Sequence, residues 1–157
     1  MAVEFKDFSI HVKAGLNDIT KGWLHTWSNE IASKARDTVQ MDGEQGIQLR
    51  KSYRADVDDG AGVAQIGTPL ESGYWEEYGT GEYAVHGDGR KGWWVYKDGY
   101  QGKGGKVLTE TEAKAIAAED SSLHASNGRE PGYTLEKAFT VTKPKALADL
   151  ETKLRGM

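Results

Sequence analysis

The sequence predicts an α+β fold: a long N-terminal helix and a C-terminal helix packed on an antiparallel sheet, with a long glycine-rich loop or hairpin. Three observations predict it. Leu16, Ile19, Trp23, Trp27, Ile31 and Ala35 recur at spacings of three and four, with Lys21, Asn29, Lys34 and Asp37 between them, which marks an amphipathic helix of about five turns. A hairpin signal centred on Asp58-Asp59-Gly60 follows. The chain then ends on Leu135, Ala138, Phe139, Leu147, Leu150 and Leu154, again at helical spacing. A chain of 157 residues can bury one core without staples, so a single domain over residues 1–157 is expected, with 86–106 as a loop within it.

Taken in order, Val3, Phe5, Phe8, Ile10 and Val12 alternate loosely and suggest an opening strand. The first helix should stop near Met41-Asp42-Gly43, where Gly43 and Gly46 can take positive φ. Residues 47–57 then read as one strand and 63–66 as its return, closed by Gly67-Thr68-Pro69. In residues 73–84, Tyr74, Trp75 and Tyr78 form the aromatic face of a short helix ended by Gly79-Thr80-Gly81, with Gly79 and Gly81 serving the turn. Gly87, Gly89, Gly92, Gly99, Gly102, Gly104 and Gly105 make residues 86–106 a loop. Thr109 and Glu112 form a capping box before a short helix near 111–119. Pro131 suits a helix start, and Pro144 either kinks the final helix or divides it in two.

Composition narrows the chemistry. There is no cysteine, so disulfides, thiolate metal sites and a cysteine nucleophile are excluded. His11, His25, His86 and His124 are scattered without zinc spacing, and neither a metal nor a cofactor is expected. A net charge of −4 disfavours a general polyanion binder. The N-terminus has no apolar signal-peptide core and no segment approaches the ~20 apolar residues of a membrane span, which leads to the expectation of a chain made and kept in the cytoplasm, without membrane contact.

Gly87-Asp88-Gly89-Arg90-Lys91-Gly92 spells a dinucleotide fingerprint but is followed by strand-like Trp93-Trp94-Val95-Tyr96 instead of a helix. Residues 99–106 lack the Gly-Lys-Ser/Thr ending of a phosphate loop. Glu76 and Glu77 could suggest acid/base work. Adjacent helical residues diverge by about 100°, however, and a solvated acidic edge is expected. Asp56, Asp58 and Asp59 read as turn residues, because no bidentate glutamate follows at calcium-loop spacing. No nucleophile elbow is present, and the chain is expected not to be an enzyme.

Within 86–106, Arg90, Lys91, Lys97, Lys103 and Lys106 outnumber Asp88 and Asp98, and Trp93, Trp94, Tyr96 and Tyr100 are interleaved with them. Basic residues with aromatics can stack on single-stranded nucleic acid, form a protein interface, or complete the chain's own core. Alternation puts Trp93 and Val95 on one face and Trp94 and Tyr96 on the other, so one pair can be buried while the other meets a partner. The favoured interface residues are Tyr74, Trp75, Tyr78, Arg90, Lys91, Trp93, Trp94, Tyr96 and Tyr100.

Gly46-Ile47-Gln48-Leu49-Arg50-Lys51-Ser52, a hairpin ending in Ile66-Gly67-Thr68, and Tyr74-Trp75-Glu76-Glu77-Tyr78-Gly79-Thr80-Gly81 together resemble the tail-completion or head–tail joining family of long-tailed bacteriophages. Trp94-Val95-Tyr96 and residues 129–138, where a proline and an aromatic lead into a final helix, are similar to that family's tail end. The resemblance spans residues 14–155, with residues 107–128 longer than is usual in the family. It implies a structural protein of the virion neck, a tail-terminator-like subunit assembled in the host cytoplasm. Copies would close into a sixfold ring that completes the tail and joins tail-tube and head-side connector proteins. DNA would pass through the ring without specific binding. A single-stranded nucleic-acid-binding or DNA-packaging accessory protein using the basic aromatic loop is the first alternative. A glycan-active tail enzyme using Glu76 or Glu77 is the second.

Overall fold

The computed structural model describes residues 10–11, 18–97 and 106–156. The fold is α+β, with five helices and small antiparallel sheets. The chain divides into two compact units: Met1–Glu77 with Gly132–Met157, and Tyr78–Pro131.

In the first unit, β1 (Ile10–His11), β3 (Val63–Gly67) and β2 (Arg54–Asp58) form an antiparallel sheet in the order β1-β3-β2. The β2–β3 register pairs Arg54 with Gly67 and Asp58 with Val63. Asp58 Oδ1 accepts from the N–H groups of Gly60 and Ala61, closing the turn that the sequence predicted there. Of the expected opening strand, residues 3–9 and 12 lie outside the described residues.

Helix α1 (Asp18–Thr38) packs on β2, β3 and α5 (Thr134–Arg155). Its buried stripe is Thr20, Trp23, Leu24, Ser28, Ile31, Ala32 and Ala35, the i, i+3, i+4, i+7 pattern of a helix covering a sheet. Two indoles clasp α1 to α5: Trp23 Nε1–H donates to the Ala146 carbonyl at 2.7 Å, and Trp27 Nε1–H to Asp149 Oδ2 at 2.8 Å. Ile31, Ala32, Ala35, Val39, Met41, Leu49, Tyr53, Ile66, Leu135 and Ala138 form the main core.

Two sequence expectations are corrected here. Residues 47–57 are not one strand: α2 (Gly43–Ser52) precedes β2. The buried positions Gly46, Leu49 and Tyr53 are three and four apart, and Ile47 is exposed, so packing follows the helical period. Glycine is required at 46, since a Cβ there would lie 1.9 Å from the Met41 carbonyl oxygen. Arg50 fixes the same turn by donating to the Val39 and Met41 carbonyls, each at 3.0 Å.

The final helix begins at Thr134, three residues beyond Pro131, and runs unbroken through Pro144. Proline removes one helical N–H. The carbonyl it leaves unbonded belongs to Thr140, and both residues are exposed, where water can serve that group.

Helix α3 (Glu71–Tyr78) belongs to the first unit up to Glu77, and in the second unit β4 (Thr80–Gly81) pairs with β7 (Gly128–Arg129). Gly79 and Gly81 have φ of +73° and +63°, the positive values the sequence predicted for that turn. β5 (Trp94–Lys97) pairs with β6 (Leu123–Ser126), and α4 (Glu110–Glu119) packs on both. The predicted capping box is present: Glu112 N–H donates to Thr109 Oγ1, and Thr109 N–H to Glu112 Oε2. Of the 86–106 segment, residues 98–105, including Tyr100 and Lys103, lie outside the described residues. Trp93 and Leu108, which flank them, exchange backbone hydrogen bonds of 3.1 and 2.9 Å.

Candidate functional site

The C-terminal turn of α3 carries Glu76 and Glu77 into the interior. They are 0% and 1% exposed, which overturns the expected solvated acidic edge. Their side chains do diverge, as helical geometry requires, but each finds a different set of buried donors. Glu76 Oε1 accepts from the Gln40 N–H at 2.5 Å and from the Thr134 hydroxyl at 3.3 Å. Glu77 accepts from Leu135 N–H at 2.7 Å and Glu136 N–H at 3.1 Å, two of the unsatisfied donors in the first turn of α5.

The backbone reinforces this arrangement. Gly132 N–H donates to the Glu76 carbonyl at 2.6 Å and Tyr133 N–H to that of Glu77 at 3.3 Å. A Cβ at Gly132 would come within 2.8 Å of the Glu76 carbonyl oxygen, so only glycine allows the approach. Tyr133 takes a left-handed conformation, φ 50°, to enter the helix.

Tyr53 completes the cluster. It is fully buried, and among the described residues no group bonds its hydroxyl. Burial, and after it the negative charges of Glu77 and Glu76, pushes its ionisation well above the ordinary phenol range. Glu77 is itself raised above the usual carboxylate value. Burial is the main cause, the Leu135 and Glu136 N–H groups oppose it, and the charges of Glu136 and Glu76 add to it.

The predicted interface residues are distributed between the units. Tyr74 and Trp75 belong to the first and are half-buried. Tyr78, Arg90, Lys91, Trp93, Trp94 and Tyr96 belong to the second. There the Arg90 guanidinium lies 5.1 Å from the Trp94 ring and donates to the Lys106 carbonyl, while the Lys114 ammonium lies 5.3 Å from the Trp93 ring. Tyr96 sits 5.3 Å from His124 across the ladder, and Tyr78 sits 4.7 Å from His86. Trp93, Trp94 and Val95 are all half-buried and Tyr96 is exposed, so neither alternate face is sealed by the unit's described residues.

Sequence reasoning missed Tyr53 as a cluster member, and it missed the exposed apolar side chains Tyr83, Val85 and Val107 around β5 in sequence. Isolated apolar residues in turns carry no periodicity to mark them. Among the described residues no group of three or more His, Cys, Asp or Glu side chains could hold a metal ion, and no helix is long and apolar enough to cross a membrane.

What this arrangement can do follows from its geometry. The two carboxylates bind backbone donors of two chain segments, Gln40 and the start of α5, and act as helix cap and clamp. The aromatic strand and its exposed apolar neighbours offer contact area. Comparison with protein-family models, with curated proteins and with solved structures finds no match to this chain.

Proposed function

We propose that this chain is a structural subunit of a long-tailed bacteriophage neck, closing into a sixfold ring that completes the tail and docks on the head-side connector. The observation that carries the reading is the set of exposed apolar side chains in the Tyr78–Pro131 unit: Tyr83, Val85, Tyr96, Val107 and Ile116. Singly exposed apolar residues are ordinary, but here they accompany two-stranded ladders whose edges invite a further strand. A head-to-tail ring needs two different contact patches on every subunit. Helix α5 supplies a candidate for the second with Val141, Leu147 and Leu154, the last two a heptad apart.

The alternatives are less well supported. A glycan hydrolase needs two carboxyl groups that reach a substrate, whereas Glu76 and Glu77 are buried and hold helix and backbone donors. A single-strand binder stacks bases on open aromatic faces, whereas Trp93 and Trp94 already have cations over their rings.

Native mass spectrometry and negative-stain microscopy of the full chain, across a wide concentration range, test the proposal. A closed ring of subunits is expected. The double substitution Tyr96→Ser and Val107→Ser should shift the population toward monomer without lowering the melting temperature. A chain that stays monomeric at every concentration overturns the reading.

A further inference from the structure

Asn127 joins β6 to β7 within the second unit, and the neck reading gives it no part. We propose that it is a self-modification site: when the β4–β7 pair opens, the Gly128 backbone nitrogen displaces the Asn127 side-chain amide, and the product keeps the pair from closing again.

The sequence supplies the reactants. Asn17 precedes Asp18 and Asn29 precedes Glu30, whereas Asn127 precedes a glycine, whose nitrogen no side chain shields. The Gly128 nitrogen gives its proton to solvent and attacks Asn127 Cγ. A new C–N bond closes a five-membered succinimide as the Cγ–Nδ2 bond breaks, and ammonia leaves with a proton taken from water. Water then adds to either ring carbonyl and reopens the ring as aspartate or isoaspartate. The net change is asparagine and water to acid and ammonia, with no oxidant or reductant.

In the closed form every reacting group is held. Gly128 N–H donates to Ser126 Oγ at 3.1 Å. The Asn127 carbonyl accepts from the Glu82 N–H at 2.9 Å. The Asn127 amide nitrogen donates to Glu82 Oε2 at 3.3 Å and to the Tyr83 hydroxyl at 3.5 Å. Asn127 is half-buried, so water reaches it once these bonds part. Succinimide formation and hydrogen exchange at Gly128 therefore require the same event, loss of the Ser126 bond followed by loss of the nitrogen's proton.

Both products oppose closure. Aspartate sets a second carboxylate where Glu82 Oε2 has its donor. Isoaspartate routes the main chain through the former side chain, which adds a methylene and takes the carbonyl that the Glu82 N–H uses out of the main chain. The strands have no slack to absorb either change: a Cβ at Gly128 would lie 2.1 Å from the Thr80 carbonyl oxygen, and one at Gly81 2.2 Å from that of Asn127.

Peptide mapping by mass spectrometry of the full chain aged in warm, mildly alkaline buffer, with hydrogen exchange at Gly128 measured alongside, tests the proposal. The mass gain of amide-to-acid conversion should map to Asn127. Ser126→Ala, which removes one hydrogen bond, should raise exchange at Gly128 and conversion of Asn127 by the same factor, about two- to tenfold. Asn127→Asp should lose protection at the Glu82 and Arg129 amides, and adding Glu82→Gln should restore part of it. Conversion elsewhere with Asn127 intact, a Ser126→Ala chain that exchanges faster without converting faster, or full protection in Asn127→Asp overturns the proposal. If Ser126→Ala fails to fold, the wild-type chain in low urea decides: exchange and conversion must rise together, and conversion indifferent to opening overturns the proposal.

Discussion

Three glycines separate the cost of backbone conformation from the cost of close approach. Gly22 lies exposed inside α1, with nothing within 4 Å of an added Cβ, and Gly22→Ala should stabilise by about 1 kcal/mol through helix propensity. Gly87 has φ +72° and equally open surroundings, so Gly87→Ala should bear only the left-handed penalty of about 1–2 kcal/mol. Gly81 has φ +63°, and its Cβ would lie 2.2 Å from the Asn127 carbonyl oxygen and 2.5 Å from the Gly128 Cα. Both obstacles are backbone of the paired strand and cannot rotate away, so overpacking of about 1–3 kcal/mol adds to the conformational penalty, for a total of about 2–5 kcal/mol. With a urea slope of about 2 kcal/mol/M, the midpoint should rise by about 0.5 M for Gly22→Ala, fall by about 0.5–1 M for Gly87→Ala and fall by about 1–2.5 M for Gly81→Ala. NMR-detected urea unfolding, following the indole N–H of Trp23 for the first unit and of Trp94 for the second, reads each substitution in its own unit. If Gly81→Ala costs no more than Gly87→Ala, the close approach contributes nothing and the reasoning fails.

Two further changes probe the frame. Thr109→Ala removes the side-chain half of the α4 capping box, leaving the backbone N–H of residue 109 to Glu112, and should cost about 1 kcal/mol, seen as faster amide exchange over Glu110–Glu119 with the first unit unchanged. Trp23→Phe keeps the ring packing but deprives the Ala146 carbonyl of its donor. It should destabilise the first unit by about 1–3 kcal/mol in chemical denaturation, and an unaltered midpoint would show that the bond contributes nothing.

Periodicity made α1, the β2–β3 turn, the α4 cap and the final helix legible, because each depends on local spacing or local hydrogen bonding. Helix α2 was not. Its decisive contact, Gly46 against the Met41 carbonyl, is a tertiary approach by a residue type that sequence rules assign to breaks. The burial of Glu76 and Glu77 was illegible for a related reason. Their donors sit at Gln40, Leu135 and Glu136, and nothing in Glu-Glu itself announces a helix start nearly sixty residues away. The aromatic strand was legible as a strand, but its exposure depends on what covers it.

Residues 74–81 and 129–138 are physical partners. Within the first unit Glu76 and Glu77 receive Gly132 and Tyr133, and within the second Thr80 and Gly81 pair with Arg129 and Gly128. The glycines at 79, 81, 128 and 132 are the positions where the two segments come too close for a side chain. A chain excursion closed at its base in this way can change in length at little cost to the unit it leaves, since closure entropy grows only slowly with loop length.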